Sequence, residues 1–248
     1  MRRTRGGEPG LRVPGGGYGC RDMRETRHQF REDLRTLEQQ ALGGLDMVIE
    51  ALDRALRSIS SQDIELAGMV IADDDRIDGR YLEVHQGLLS MLALQAPVAT
   101  DLRIIAALLH VIRCVERMGD QCVNIAKLVT LSGQEPPKDP EILDMIKRLG
   151  QKTRSQASEA RETFSTRDGA RAQQLVHQDP TILRLGRQIF NRAVEIGDDI
   201  EVREWAMFMI LVARALERIA DNTVDIAEQT AFVVTGWLPE FAAARSSA

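Results

Sequence analysis

The 248-residue chain has few aromatic residues and no long apolar run, and both shortages narrow its class. Aromatic residues make up 4% of the chain, so a core must be filled by Leu, Ile, Val, Met and Ala, most of which favour helices. No apolar stretch approaches the roughly 20 residues of a membrane-spanning helix. The N-terminal arginines have no apolar stretch behind them, unlike a secretory signal. We therefore expect a soluble, cytoplasmic protein without direct membrane insertion.

Cysteine is also scarce, with Cys20, Cys114 and Cys122 and no C-x-x-C motif. Cys114 and Cys122 lie on one predicted helix, about 12 Å apart along its axis, which is too far for a disulfide. We expect free, buried thiols in a reducing compartment.

Clustered basic residues and nucleotide motifs are missing as well. The net charge is −5, and acids and bases are interleaved as on solvated helix faces, so no nucleic-acid partner is expected. The sequence has no P-loop, no Gly-rich dinucleotide fingerprint and no Ser or Cys nucleophile motif, and therefore no enzyme class with such a signature is indicated.

Helical periodicity dominates the chain after a Gly- and Arg-rich start. Residues 1–22 are predicted to be a disordered extension. Three helical runs fill residues 23–133, and after a Pro-rich linker three more fill residues 140–237. The predicted fold is all-α, with two tandem three-helix bundles and a frayed tail at 238–248.

Each predicted bundle has one long middle helix. The second helix runs without interruption from Ile64 to Leu92, after N-cap chemistry at residues 60–63. The fifth spans about 168–195. Asp101 is a candidate N-cap of the third helix, which runs from about Leu102 to Leu131.

A duplication is visible within the sequence. Residues 111–126 (VIRCVERMGDQCVNIA) align with 212–227 (VARALERIADNTVDIA), and eight of the sixteen positions are identical. Four of the identities are charged, which two unrelated amphipathic helices would not share. The match indicates duplication of a unit of about 100 residues.

Both repeats place carboxylates in an otherwise apolar helical row. With a step of four residues, the rows of the third and sixth helices are Ile104, Leu108, Ile112, Glu116, Asp120, Asn124 and Leu128, and Trp205, Met209, Ala213, Glu217, Asp221, Asp225 and Gln229. Buried carboxylates are costly unless they are paired or bind metal. Side chains four apart have Cβ atoms about 6 Å apart, so two carboxylates can converge on one hard cation.

Asp74 and Asp78 form another such pair on the second helix. On the fifth helix Asp179 is present, but Leu183 stands where the second acid would be. The competing interpretation is intrahelical ion pairing, because Glu116 and Asp120 each have an arginine three residues earlier.

Histidine adds little to these patterns. Glu25 and His28 form a lone Glu-x-x-His, whereas a di-iron bundle needs two. His85, His110 and His177 are isolated, and we expect them to be surface or helix-face residues.

Four segments carry a resemblance to a known family: DDDRID (73–78), LALQAPVATDLR (92–103), CVERMGDQCVNIA (114–126) and ARALERIADNTVDIAEQTAFVVTG (213–236). They closely resemble the PhoU family, over about residues 23–237. The resemblance implies pseudo-symmetric three-helix bundles in a cytoplasmic negative regulator of phosphate uptake and of the phosphate-starvation response. It also implies three partners: the ATPase subunit of the phosphate ABC transporter, a sensor histidine kinase and a second copy of the chain.

The resemblance further implies metal-binding acidic motifs, carried here by Asp74 with Asp78, Glu116 with Asp120, Asp179 with Leu183, and Glu217 with Asp221. They would hold divalent or trivalent ions such as Fe, Zn, Mn or Mg, without an organic cofactor. Gln121 and Asn222 stand where the family often has His, and Ala220 replaces a Gly. We therefore expect a more complete site in the first bundle. A carboxylate-bound metalloenzyme and a metal-free structural scaffold remain as alternatives.

Overall fold

The computed structural model describes residues 19–95, 97–133, 138–177 and 180–237, with side chains from residue 27 onward. These residues contain eight helices and no strand, which confirms the predicted all-α class. The helices are α1 (Gly19–Ser61), α2 (Ile64–Ala72), α3 (Asp74–Leu94), α4 (Ala99–Ser132), α5 (Pro140–Thr166), α6 (Gly169–Val176), α7 (Thr181–Val194) and α8 (Ile200–Thr235). Helix α1 begins at Gly19 and therefore includes the last four residues of the predicted extension, so the predicted boundary at residue 22 is wrong. Residues 1–18 and 238–248 lie outside the described residues, so the predicted disorder of the first segment and fraying of the tail stay predictions.

The helices form the two predicted three-helix bundles. In the first, α1 and α4 pack with α2 and α3, and in the second, α5 and α8 pack with α6 and α7. The prediction of a single middle helix in each bundle is wrong, because both middle helices are broken. Each half therefore has two long helices and one broken helix.

Each break occurs at a residue whose contacts or chemistry differ from those of a continuous helix. Between α2 and α3, Asp73 donates its backbone N–H to Met69 O, and its carboxylate accepts a hydrogen bond of 2.5 Å from Arg54 Nη1. Between α6 and α7 the chain meets Pro180, which has no N–H to donate to a continuing helix. The helical hydrophobic pattern continues across both breaks, which is why periodicity alone does not detect them.

Four of the eight helices begin with an aspartate side-chain cap, and that of α2 lies in the segment where the sequence predicted N-cap chemistry. The carboxylates of Asp63, Asp139, Asp168 and Asp199 accept hydrogen bonds from first-turn N–H groups. The prediction that Asp101 is the N-cap of the third predicted helix is wrong. Helix α4 already begins at Ala99 with Val98 as its N-cap, so Asp101 lies inside the first turn, where a negative charge favours the helix dipole.

The two bundles share one core. Helices α4 and α8 run antiparallel: Leu131 and Trp205 line one pocket at one end of the pair, and Arg103 lies against Gly236 at the other. Buried apolar residues from all eight helices belong to a single cluster. None of the helices in the described part of the chain is long and apolar enough to cross a membrane.

Ion pairs join α1 to α5 at the surface. The carboxylates of Asp46 and Asp53 accept hydrogen bonds from Arg161 and Arg154 at 2.9 and 2.8 Å. Arg167 pairs with Glu38 in the same way. The α1–α5 and α4–α8 contacts together fix the relative position of the two bundles.

Candidate metal centres

The acidic pairs of the first bundle come from two neighbouring helices, α3 and α4. A glycine at position 119 allows the close packing, since a Cβ there would lie 3.0 Å from Ile77 Cγ2. Burial raises the pKa of Asp74, and the nearby carboxylates of Asp78 and Asp120 raise it further. The carboxylates of Asp78 and Asp120 therefore lie near enough to Asp74 to act on it electrostatically, whereas a shared metal site stays a prediction.

Glu116 lies one turn before Asp120 and is mostly buried, with 20% of its side chain exposed. Its Oε1 accepts a hydrogen bond of 3.3 Å from Arg113 Nη1, which confirms the predicted ion pair. Its Oε2 is buried without a hydrogen-bond partner among the described residues. The other predicted ion pair, between Arg117 and Asp120, does not form among the described residues. One carboxylate oxygen of Glu116 is thus left for another ligand.

These four residues fit a hard cation by their chemistry, because all the available donors are carboxylate oxygens. The orphaned Glu116 Oε2 points to a missing partner, since a buried unpaired oxygen is unfavourable. The described side chains do not, however, bring any three of these carboxylates within 4.8 Å of one another. A cation bound here would require the carboxylates to move closer together.

The described residues of the second bundle show no equivalent arrangement. Glu217 is 8% exposed, is bound by Arg214 and packs against Gly186, where a Cβ would lie 1.9 Å from Glu217 Oε1. Leu183 is 48% exposed and supplies no ligand. The pKa of Asp221 is raised by partial burial and by Asp225. Asp179 lies outside the described residues.

Another set of donors lies between the bundles. A ring nitrogen of His110, Cys114 Sγ and a carboxylate oxygen of Asp225 all lie within 4.8 Å of one another. It is the one group of three or more His, Cys, Asp or Glu donors this close within the described chain. His110 is exposed on α4, as predicted for a surface histidine, but it is not isolated in space, because Asp225 comes from a helix more than 100 residues away in sequence.

The two described cysteines are free and buried, as predicted. Burial raises the pKa of each thiol to about 12, with a further contribution from Asp225 at Cys114 and from Asp74 at Cys122. His85 stacks on Tyr81 at 5.4 Å between ring centroids. The exposed His28 faces Glu32 at 3.6 Å, and His177 is exposed after the end of α6.

Comparison with known families accounts for the duplication. The model of the PhoU domain matches the chain twice, over residues 44–129 and 146–230. The chain belongs to the PhoU family. Each match ends within the last helix of its bundle, so the two family domains follow the internal repeat.

PhoU-family relatives match nearly the whole chain. The phosphate-specific transport system accessory protein PhoU homolog of Clostridium acetobutylicum is 30% identical over 215 residues, covering 85% of this chain and 96% of that protein. The protein of the same name from Aquifex aeolicus is 30% identical over 188 residues, covering 75% of this chain and 84% of the relative.

Two crystal structures share the PhoU fold. PhoU from Pseudomonas aeruginosa has a TM-score of 0.78 at 24% identity, covering 84% of this chain and 100% of that one. The phosphate transport system regulatory protein PhoU from Streptococcus pneumoniae has a TM-score of 0.74 at 26% identity, covering 84% and 98%. The predicted family and fold are confirmed, whereas metal binding by the acidic residues stays a prediction.

Proposed function

We propose that this chain is an accessory regulator of a phosphate-specific transport system, which restrains phosphate uptake and the phosphate-starvation response when phosphate is plentiful. The observation that carries the proposal is the pair of PhoU domains. The chain also matches almost the full length of relatives that are named as accessory proteins of phosphate-specific transport systems. A regulator of this kind acts by binding rather than by a chemical step.

The proposed partners are the ATPase subunit of the phosphate ABC transporter and a sensor histidine kinase, which a cytoplasmic homodimer would contact. One exposed apolar surface supports a partner at the turn between α3 and α4. Leu94, Val98 and Leu102 are 83%, 44% and 46% exposed there. Exposed apolar side chains that lie together often mark protein-binding sites.

In this proposal the acidic residues hold a structural or regulatory metal ion of the Fe, Zn, Mn or Mg class. Asp74, Asp78, Glu116 and Asp120 would form the main site, supported by the electrostatic grouping on α3 and α4 and by the unpartnered Glu116 oxygen. Glu217 and Asp221, with Asp179, would contribute a weaker one, since Arg214 already binds Glu217.

The proposal is tested by deleting the gene and measuring expression of phosphate-uptake genes in high phosphate. We expect derepression, and restoration by the wild-type chain. Unchanged expression in the deletion strain would contradict the regulatory role.

A surface variant tests the role of the exposed turn. Leu94→Asp should fail to restore repression and should lose co-purification with transporter-containing membranes. Leu89→Asp is the matched control, because Leu89 is 48% exposed on the same helix but outside the turn. Equal activity of the two variants would contradict a partner site at this turn.

A metal-free scaffold is the second candidate, because the Arg113–Glu116 ion pair satisfies one carboxylate oxygen without any metal. It predicts that the Glu116→Ala/Asp120→Ala double variant regulates as well as the wild type. Loss of regulation in a folded double variant would favour the metal-bound form.

A further inference from the structure

We propose that His110, Cys114 and Asp225 form a Zn²⁺ site at the seam between α4 and α8, separate from the acidic motifs. The proposal does not depend on the regulatory function, because it concerns only how the two bundles are joined.

The geometry supplies three different donors from two helices. His110 and Cys114 lie one turn apart on α4 and therefore on the same side of that helix. Asp225 comes from α8, and the three donor atoms lie within 4.8 Å of one another. Zinc–ligand bonds of about 2.0–2.3 Å in a tetrahedron place donors about 3.3–3.7 Å apart. Side-chain rotations that close the set by about 1 Å would complete the geometry.

The donors are available for a ligand. None of the three side chains takes part in a hydrogen bond or ion pair with another described residue. The Cys114 side chain is fully buried, Asp225 is half-buried and His110 is exposed. Water can therefore reach the His110 side of the site and supply a fourth ligand, as in three-residue zinc sites.

The donor types select the metal. One sulfur, one imidazole nitrogen and one carboxylate oxygen suit Zn²⁺, whereas Mg²⁺ and Ca²⁺ prefer oxygen ligands alone. Binding breaks the Cys114 S–H bond, forms a Zn–S bond and releases the proton to solvent. No electron transfer is needed.

The internal repeat shows that packing alone does not require these residues. Leu211, Ala215 and Asn124 occupy the equivalent positions of the other repeat, and they too lie together, lining one pocket at the same seam. The seam therefore packs with an apolar, a small and an amide residue at one pseudo-symmetric position and with three metal-ligand residues at the other. The asymmetry in residue type points to a ligand on the His110 side.

Cobalt substitution tests the site in the full-length protein. The protein is stripped of metal and titrated with Co²⁺, whose bond to a thiolate gives a near-ultraviolet charge-transfer band. We expect the band to saturate at one Co²⁺ per chain and to disappear when Zn²⁺ is added. Carboxylate-only binding at the acidic motifs cannot give this band, and its absence from the wild type would overturn the proposal.

Variants assign the ligands. Cys114→Ala should abolish the band, and His110→Leu or Asp225→Asn should weaken Co²⁺ binding at least about tenfold, since even indirect partners of a metal contribute that much. Each replacement introduces the residue that stands at the equivalent position of the other repeat, so the folded state should be retained. Circular dichroism checks the fold.

The matched control is Cys122→Ala, which removes the other buried thiol but none of the three donors. The band should remain unchanged in this variant. Persistence of the band in Cys114→Ala would overturn the assignment. Loss of the band in Cys122→Ala, with the band retained in Cys114→Ala, would assign it to the other thiol and also overturn the proposal. If Cys114→Ala fails to fold, His110→Leu at the exposed position decides: unchanged Co²⁺ affinity would refute the site, and weakened binding would support it.

Discussion

At the residue scale, Glu116 and Glu217 show how one sequence motif acquires two different surroundings. They occupy equivalent positions in the repeat, and each has an arginine three residues earlier. Glu116 retains a buried oxygen without a partner, whereas the Glu217 carboxylate packs against Gly186. The difference is set by residues on the neighbouring middle helix, so the two motifs are not equivalent binding sites.

Metal content should follow this difference. The Glu116→Ala/Asp120→Ala variant is expected to lose most of the metal bound by the acidic residues, because it removes two of the four carboxylates of the first bundle. The Glu217→Ala/Asp221→Ala variant should lose little. Metal analysis of the purified proteins by mass spectrometry measures both, with the exposed Glu83→Ala as the control. Equal retention in all three variants would refute the assignment.

Two glycines provide a second residue-scale prediction. Gly79→Ala should raise the free energy of unfolding by about 0.5–1 kcal/mol, because alanine favours the helix and a Cβ there meets nothing within 4 Å. Gly186→Ala should instead lower it by about 0.5–1 kcal/mol, since displacing the buried Glu217 disturbs a charge-assisted hydrogen bond and exceeds the helix gain. Urea unfolding compares the two, and equal stabilisation would contradict the packing of Glu217 on Gly186.

At the element scale, the break between α2 and α3 is held by an ion pair. The hydrogen bond from Arg54 is the main cause that lowers the pKa of Asp73, and Arg76 adds to it. A lowered pKa in the folded state means that the pair stabilises the protein above the unfolded pKa and that this contribution is lost as the pH falls through the folded pKa.

Asp73→Asn should therefore destabilise the protein by about 0.5–1 kcal/mol at pH 7, the range for a partly exposed ion pair. The difference from the wild type should be smaller at about pH 3 than at pH 7, because that pH lies below the ordinary Asp pKa of about 3.9 and the carboxyl of the unfolded chain is then mostly protonated. Chemical unfolding at both pH values measures it, with the exposed neighbour Asp75→Asn as the control. A destabilisation independent of pH would show that the ion pair is not its cause.

At the scale of the whole molecule, the two bundles are parts of one folded unit. Helix α4 buries side chains at adjacent positions, such as Cys114 with Val115 and Cys122 with Val123. Adjacent residues point to different sides of a helix, so α4 contacts both its own bundle and α8. The surface ion pairs between α1 and α5 contribute less, since exposed pairs are worth about 1 kcal/mol or less.

A fragment of residues 23–133 should therefore be unstable by itself. We expect it to self-associate, or to unfold about 10 °C or more below the full-length chain, because the seam with α8 is exposed to water. Size-exclusion chromatography with light scattering and thermal unfolding measure this, and a fragment of residues 140–237 serves as the reciprocal comparison. A monomeric fragment as thermostable as the whole chain would contradict a shared core.

Local patterns in the sequence determined the helical class of the fold, the duplication and the positions of the acidic residues along their helices. Helical periodicity and the repeat at 111–126 and 212–227 are short-range signals, so they specified an all-α, duplicated chain, and four local motifs identified its family. The spacing of Glu116 and Asp120 likewise placed two carboxylates on one helical face. Where a break depended on a distant residue, as Asp73 depends on Arg54, the periodic pattern carried no signal of it.

Only the tertiary structure decided which of the repeated positions are chemically alike. The Glu-x-x-x-Asp pair is duplicated in the two repeats, but Gly186 and Arg214 contact Glu217, while Glu116 keeps one carboxylate oxygen without a partner. His110 and Cys114 carried a recognisable one-turn spacing, yet their third donor, Asp225, lies on the other bundle. Residues that are distant in sequence meet only when the two bundles pack against each other, so the packing of α4 on α8 decides what the seam can bind.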